Sequence, residues 1–156
     1  MATLAETLGS TPQERLVLRQ VFSATKIAFE NEVAKKGRKN NLSAALTFFI
    51  GSTVWVYHNS EEPTDAALDN LWDGLEGALE NTPEMAQLND ADKQLFYDMM
   101  IAFSGVVLAT YTEAKSTNNS DLLLTSRLLA GGLLQLVLKS DPEKLRFTST
   151  GLVSET

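Results

Sequence analysis

The chain has 156 residues, no cysteine and a formal net charge of −7 at pH 7, and hydrophobic residues make up 44% of it. This size and apolar content are typical of one folded globular domain and exclude a disordered chain. Without cysteine there can be no disulfide, thiolate nucleophile or Cys-ligated metal site. Because nucleic-acid binding depends on clustered Lys and Arg side chains, the acidic charge also argues against a nucleic-acid partner.

No targeting segment is evident at the start of the sequence. Residues 1–11 carry neither a basic stretch nor an apolar one, and a secretory signal needs both. We therefore expect a cytoplasmic protein for the sequence as written, or an exported mature domain if a leader has been removed.

Capping signals open the first predicted helix. In Thr11-Pro12-Gln13-Glu14, threonine is placed as an N-cap, proline takes the first helical position and glutamate completes a capping box. The helix is predicted over 12–36, ending at Gly37. A basic run surrounds this glycine: Lys35, Lys36, Arg38 and Lys39. Cations at this end suit the helix dipole, and the alternative is a contact patch for an acidic partner.

Three further segments, 42–57, 99–112 and 122–138, are apolar nearly all round and are predicted as central helices. A helix without a polar face is either buried or inserted in a membrane. A bilayer span takes about 20 apolar residues, and the uncharged stretch at 42–57 is shorter than that. Central burial is therefore the preferred interpretation, and we expect no stable membrane insertion.

Small residues recur on two of these helices. They form one row on each helix: Ser43, Thr47 and Gly51, and Ala102, Gly105 and Ala109. A glycine inside a helix costs about 0.5–1 kcal/mol relative to alanine, and a close approach of facing helices would offset that cost. We therefore predict that Gly51 and Gly105 lie where these two helices meet.

The helix predicted over 64–80 is amphipathic. Its apolar stripe consists of Leu68, Leu71, Trp72, Leu75 and Leu79, and Asp65, Asp69 and Asp73 lie on the adjoining face. The pattern predicts that the stripe docks on the apolar core and leaves the aspartates in water. A divalent-cation site on the aspartate row is the alternative.

A shift of 54 residues aligns several positions of the chain with one another. It places Phe49 on Phe103, Gly51 on Gly105 and Gly77 on Gly131. We interpret this similarity as a hypothesis of two related helical hairpins, too few for a solenoid.

The candidate binding residues are Trp55, Tyr57, His58 and Tyr111. His58 is the one histidine of the chain, so any histidine chemistry must use it, although a contact with the end of its helix explains it more simply. Tyrosines near helix ends keep their hydroxyl groups in water, so Tyr57 and Tyr111 could line the mouth of a pocket between helices. The sequence shows no catalytic constellation, metal-ligand set or cofactor motif.

Several phrases resemble an uncharacterised helical bacterial family, a domain of unknown function. They are Asn41-Leu-Ser-Ala-Ala-Leu-Thr-Phe-Phe-Ile-Gly-Ser, Asp92-Lys-Gln-Leu-Phe-Tyr-Asp, Asp141-Pro142 and Thr150-Gly151-Leu152. The resemblance covers roughly residues 35–152. It implies a bacterial origin and, often, an exported mature domain, and it supplies no catalytic residues.

Together these observations predict an all-α, single-domain bundle of five or six helices. The three apolar helices form its centre, 12–36 and 64–80 cover them, and residues 1–10 and 147–156 are extended tails. The expected function is a non-enzymatic binding or protein-interaction module that takes a protein partner or forms a homo-oligomer, with no cofactor. The alternatives are a membrane-active or lipid-binding protein and an enzyme that uses carboxylates and tyrosines in an unrecognised pocket.

Overall fold

The computed structural model describes residues 1–37 and 41–156. Within these ranges the chain forms seven α-helices, one short 3₁₀ helix and two short strands. The helices are α1 (Ala2–Leu8), α2 (Pro12–Lys35), α3 (Leu42–His58), α4 (Asp65–Glu80), α5 (Pro83–Gln87), α6 (Asp90–Ser116) and α7 (Ser120–Leu138). The 3₁₀ helix Pro142–Lys144 leads into strand β1 (Leu145–Phe147), which pairs antiparallel with β2 (Leu152–Ser154). Arg38 and Lys39 of the basic run lie outside the described residues.

Side-chain caps set where the long helices begin. Thr11 and Glu14 form the predicted capping box at the start of α2. Asn41, Asn89 and Asn119 each accept a hydrogen bond from a first-turn backbone N–H, at α3, α6 and α7 respectively. These bonds satisfy N–H groups that have no partner inside the helix, which is why the helices begin at these positions.

Helix α3 lies at the centre of the fold. It packs against α4, α6 and α7, while α2 packs on α6 and α1 on α2. Twelve of the 17 residues of α3 are buried. Its Phe49 and Ile50 lie in one core cluster with Met100 and Ile101 of α6 and Leu134 of α7.

The all-α class is confirmed, but seven helices rather than five or six are present among the described residues. The expectation of an extended tail over residues 1–10 was wrong, because Ala2–Leu8 is helical. Ala5 of α1 is fully buried in a cluster with Phe22 and Ala102. Helix α1 lacks a side-chain cap, so tertiary packing, and not a local signal, holds it. At the other end, part of the predicted extended tail pairs as β2 with β1 in a hairpin, and Leu145 is buried.

Burial of all three apolar helices was also expected, and for α7 this was wrong. Only four of its 19 residues are buried: Ser126, Ala130, Gly131 and Leu134. Leu124, Leu128 and Leu136 are 54%, 65% and 60% exposed. The reason is that α7 packs on α3 and α6 from one side, and no described element covers its other side.

The length argument against membrane insertion holds for α3 but fails for α6 and α7. By length and composition alone, both of these helices could cross a membrane. In α6, 44% of the most apolar stretch is buried inside the protein, and in α7 the buried share of that stretch is 22%. A soluble core helix passes the same test, so the expectation of no stable insertion stays a prediction for liposome flotation.

Gly51 and Gly105, one from each row of small residues, lie against helices other than the ones predicted. A Cβ on Gly51 would lie 2.9 Å from Cδ2 of Leu68 on α4, and a Cβ on Gly105 would lie 3.0 Å from Cβ of Thr25 on α2. Close packing at both glycines is therefore present, but the predicted α3–α6 contact at them was wrong. The aligned glycines of the 54-residue shift also have different surroundings, so the two hairpins, α3–α4 and α6–α7, do not share this packing.

The prediction for α4 is confirmed. Trp72 is buried, and Asp65, Asp69 and Asp73 are exposed. Thr64 caps the helix with its side chain. The apolar stripe therefore orients α4 on α3 as its periodicity indicated.

Candidate functional site

Three of the four candidate residues lie in the last turn of α3, and their polar groups are used inside the protein. The Tyr57 hydroxyl donates to Glu143 Oε1 at 2.6 Å, and His58 Nε2 donates to the Leu145 carbonyl at 2.7 Å. Both bonds attach the end of α3 to the 3₁₀ helix and β1. The contact of His58 with a strand carbonyl replaces the expected contact with the end of its own helix.

Trp55 and Tyr111 meet on another side of the same helix end. Their ring centroids lie 5.6 Å apart in an edge-to-face arrangement. The Tyr111 hydroxyl donates to Asn59 Oδ1 at 2.8 Å, and Lys115 Nζ donates to the same oxygen at 3.2 Å. Asn59 ends α3 in the left-handed conformation, so these bonds fix the helix terminus.

The four residues therefore do not line one shared pocket. Hydrogen bonding to Glu143, burial and the nearby negative charges of Glu143 and Asp141 raise the pKa of Tyr57. A phenol with a raised pKa is a poor base or nucleophile near neutral pH. The geometry accordingly gives Tyr57, His58 and Tyr111 a tethering role.

A groove with a volume of about 320 Å³ lies among α2, α3 and α4. Its apolar lining includes Phe29, Phe48, Trp55, Leu68, Trp72 and Leu108. Phe29 and Phe48 stack with their centroids 5.2 Å apart. Of the four candidate residues, Trp55 lines this groove, as does Trp72, the other tryptophan of the chain.

Charged side chains surround the apolar lining. They are Glu32, Lys36, Glu62, Asp65 and Asp69. Lys36 pairs with Asp69, and Glu32 pairs with Lys35. Glu62 and Asp65 make no ion pair with the described part of the chain. The described rim thus carries more negative than positive charge.

Ser52 contributes a hydroxyl group to the groove lining. The residue is 5% exposed, and its hydroxyl, which makes no hydrogen bond within residues 1–37 and 41–156, is in contact with the open groove and is not a buried polar atom. Buried hydroxyls on α3 do have partners: Thr47 and Thr53 donate to carbonyls four residues earlier in the helix. Ser52 is therefore free to bond a group in the groove.

The groove was not predicted from the sequence, although small residues on α3 indicate space beside this helix. Thr47, Gly51 and Ser52 are small, and they leave room on the side of α3 that faces α2 and α4. Thr47 and Gly51 belong to the row of small residues from which a close helix contact is predicted. Trp72 was assigned to the core alone, yet it both packs in the core and lines the groove.

The residues that the structure describes contain no group of three or more His, Asp and Glu side chains able to hold a metal ion. Asp69 of the aspartate row instead pairs with Lys36.

The fold and the groove define an all-α domain with a solvent-open apolar groove, bordered by carboxylates and Lys36. The model of the Family of unknown function (DUF6683) matches residues 1–155, so the chain belongs to this family. The match extends beyond the range 35–152 that the resemblance covered. No curated protein and no solved structure matches the chain.

Proposed function

We propose that the chain is a non-enzymatic binding module whose groove holds a small ligand with an apolar body and a cationic end. The observation that carries this proposal is the combination of an aromatic-lined groove of about 320 Å³ with carboxylates at its rim. Small-molecule sites are typically concave and mostly apolar, with a few polar groups that orient the ligand.

The apolar lining supplies the attraction for the ligand body. Trp55, Trp72 and the stacked pair Phe29 and Phe48 offer flat surfaces on which an aromatic or aliphatic group can pack. Burial of apolar area contributes roughly 25 cal/mol per Å². A volume of this size suits a ligand of modest size.

The rim supplies a preference for positive charge. Glu62 and Asp65 have no cation among the described residues, so a ligand cation near them gains attraction without breaking an existing pair. Lys36 Nζ also lies 5.9 Å from the centroid of the Trp72 ring, so this ring face already accepts a cation.

The Ser52 hydroxyl supports orientation of the ligand. The hydroxyl opens into the groove, so a polar group of the ligand can bond it in place of water. A ligand with one polar atom near its middle would therefore bind more tightly than its hydrocarbon counterpart.

Intrinsic fluorescence tests the proposal directly, because both tryptophans line the groove. The probes are 4-phenylbutylammonium and 4-phenylbutanoate, which share an apolar body and differ in the sign of charge. We expect saturable fluorescence change with the cation, at a Kd on the order of 0.1–1 mM for so small a molecule. The anion should bind at least about fivefold more weakly, as a difference of about 1 kcal/mol predicts.

Charge variants sharpen this experiment. Glu62→Gln with Asp65→Asn should remove most of the discrimination between the two probes, and Lys36→Gln should increase it. Glu80→Gln with Glu84→Gln is the matched control, since both carboxylates are exposed and neither lines the groove. The proposal fails if neither probe saturates, or if the anion binds as tightly as the cation.

A further inference from the structure

The outward face of α7 carries an apolar row. Leu124, Leu128, Gly132 and Leu136 recur every four residues, and the three leucines are each more than half exposed. A Cβ on Gly132 would meet nothing within 4 Å. Single exposed leucines are ordinary on protein surfaces, but a continuous row along one helix marks an interaction surface.

No charged side chain interrupts this row. Between Leu122 and Leu138 the one charged residue is Arg127, and its Nε donates to the Tyr57 carbonyl of α3 at 2.8 Å. Arg127 is therefore turned away from the apolar row. Two uncharged polar residues, Thr125 and Gln135, lie beside the row and are exposed.

The row is complementary to itself when reversed. Its midpoint is residue 130, so in an antiparallel pair of α7 helices Leu128 lies at the height of the partner copy's glycine 132. Leu124 likewise lies at the height of leucine 136 of the second copy. Each leucine at position 128 then packs on the glycine of the other copy. The contact occurs twice because a symmetric dimer uses the same surface on both copies.

The charges at the two ends of α7 follow the same symmetry. Asp121 and Lys139 are both exposed, and each lies nine positions from the midpoint. Asp121 lies in the first turn of α7 and Lys139 is its C-cap, so opposite charges flank the apolar row at its two ends. Neither forms an ion pair within the described residues. An antiparallel pair brings the aspartate of each copy next to the lysine of the other, whereas a parallel pair would place like charges together.

We propose that the chain forms a symmetric homodimer through the outward face of α7, with the two helices antiparallel and centred on residue 130. The occupant of this face is a second copy of the chain. Shape and charge both favour a second copy as the partner. Leucine packs on glycine at the centre of the interface, and aspartate lies next to lysine at each end. Membrane-surface helices, by comparison, carry Lys and Arg along their polar face, and α7 has no such set.

Sedimentation velocity of the full chain over a range of concentrations tests the dimer. We expect a reversible monomer–dimer equilibrium. Leu128→Glu should weaken it by about tenfold or more, because it buries an unpaired charge at the centre of the interface. Since Leu128 is 65% exposed in the monomer, this variant should fold normally by circular dichroism. Leu95→Glu is the matched control, because Leu95 is an exposed leucine on α6 and its replacement should leave the equilibrium unchanged.

Charge reversal tests the antiparallel arrangement. Asp121→Lys and Lys139→Asp should each weaken the dimer by about three- to tenfold, and the double variant should restore it to within about twofold. Failure of the double variant to restore association overturns the antiparallel geometry. A wild-type chain that stays monomeric at several hundred micromolar overturns the dimer itself.

Liposome flotation separates the dimer from a membrane role for the same face. Neutral and anionic vesicles should leave the protein unbound. Flotation that Leu128→Glu abolishes, in a chain that is monomeric without lipid, would overturn the proposal in favour of a lipid surface. This proposal uses no residue of the groove, so either can fail without the other.

Discussion

Helices α3 and α7 are both apolar nearly throughout, yet they occupy opposite kinds of environment. Twelve of 17 residues are buried in α3, and four of 19 are buried in α7. Helix α3 has neighbours on several sides, whereas α7 contacts α3 and α6 from one side. Hydrophobicity shows that a helix face avoids water, but it does not show whether the same chain or another molecule covers that face.

The largest expected effect contrasts a core residue of α3 with an exposed leucine of α7. Phe49 is fully buried, so Phe49→Ala should lower the free energy of unfolding by about 3–5 kcal/mol. Leu128→Ala should change it by no more than about 0.5 kcal/mol in the monomer, since Leu128 is mostly exposed. Urea denaturation at low protein concentration measures both. Equal losses for the two variants would mean that α7 is covered in the monomer.

Alkaline pH gives a second test of the core around α3. Tyr97 lies in the same cluster as Phe49, and burial, with the negative charges of Glu30 and Asp98, raises its pKa to about 12. The unfolded chain loses this proton near pH 10, so from there to pH 12 the unfolded state binds fewer protons and stability falls. The full effect is about 3 kcal/mol, because each pKa unit corresponds to about 1.4 kcal/mol, and it is absent below pH 10.

The variant Tyr97→Phe isolates this effect. No hydrogen-bond partner of the buried Tyr97 hydroxyl lies within the described residues, so its removal should leave stability at pH 7 unchanged or raise it by up to about 1 kcal/mol. The decline between pH 10 and pH 12 should then be smaller than in wild type. Tyr111→Phe is the matched control, because it removes a hydroxyl that does bond Asn59 and should cost about 0.5–1.5 kcal/mol at pH 7. An unchanged alkaline slope in Tyr97→Phe would contradict the assignment to Tyr97.

The smallest expected effect separates two adjacent glycines on α7. A Cβ on Gly131 would lie 2.7 Å from the Tyr57 ring, and a Cβ on Gly132 would meet nothing. Gly131→Ala should therefore destabilise the monomer by about 1 kcal/mol, and Gly132→Ala should stabilise it by about 0.5–1 kcal/mol through helix propensity. Thermal melts of both variants measure the difference. The same sign for both would show that the inward and outward faces of α7 are not as distinct as the structure places them.

Local signals in the sequence predicted some features of the helices, and features that depend on distant residues were not predicted. The capping box at Thr11 predicted the start of α2 because a cap is a local bond between residues three apart. The stripe on α4 predicted its buried face because the period of a helix fixes which side chains lie together. Helix α1 was not predicted, because it is held by the packing of Ala5 against Phe22 and Ala102, which are distant from it in the sequence.

The candidate site residues also depend on contacts with residues distant in sequence. Of the four candidate residues, Trp55 lines the groove, whereas the polar groups of the other three bond Glu143, Leu145 and Asn59. The polar group of a side chain is available to a ligand only if nothing else in the fold bonds it. Sequence spacing does not contain that information.

The amino-acid sequence by itself determined the helical class, the start of α2 and the buried side of α4. Each of these follows from interactions within a few residues or from the helix period. Only the tertiary structure decided which apolar helix lies at the centre, which small residues open a groove, and which leucines face water. These outcomes depend on which elements pack together, since a surface is buried or free only in relation to its neighbours.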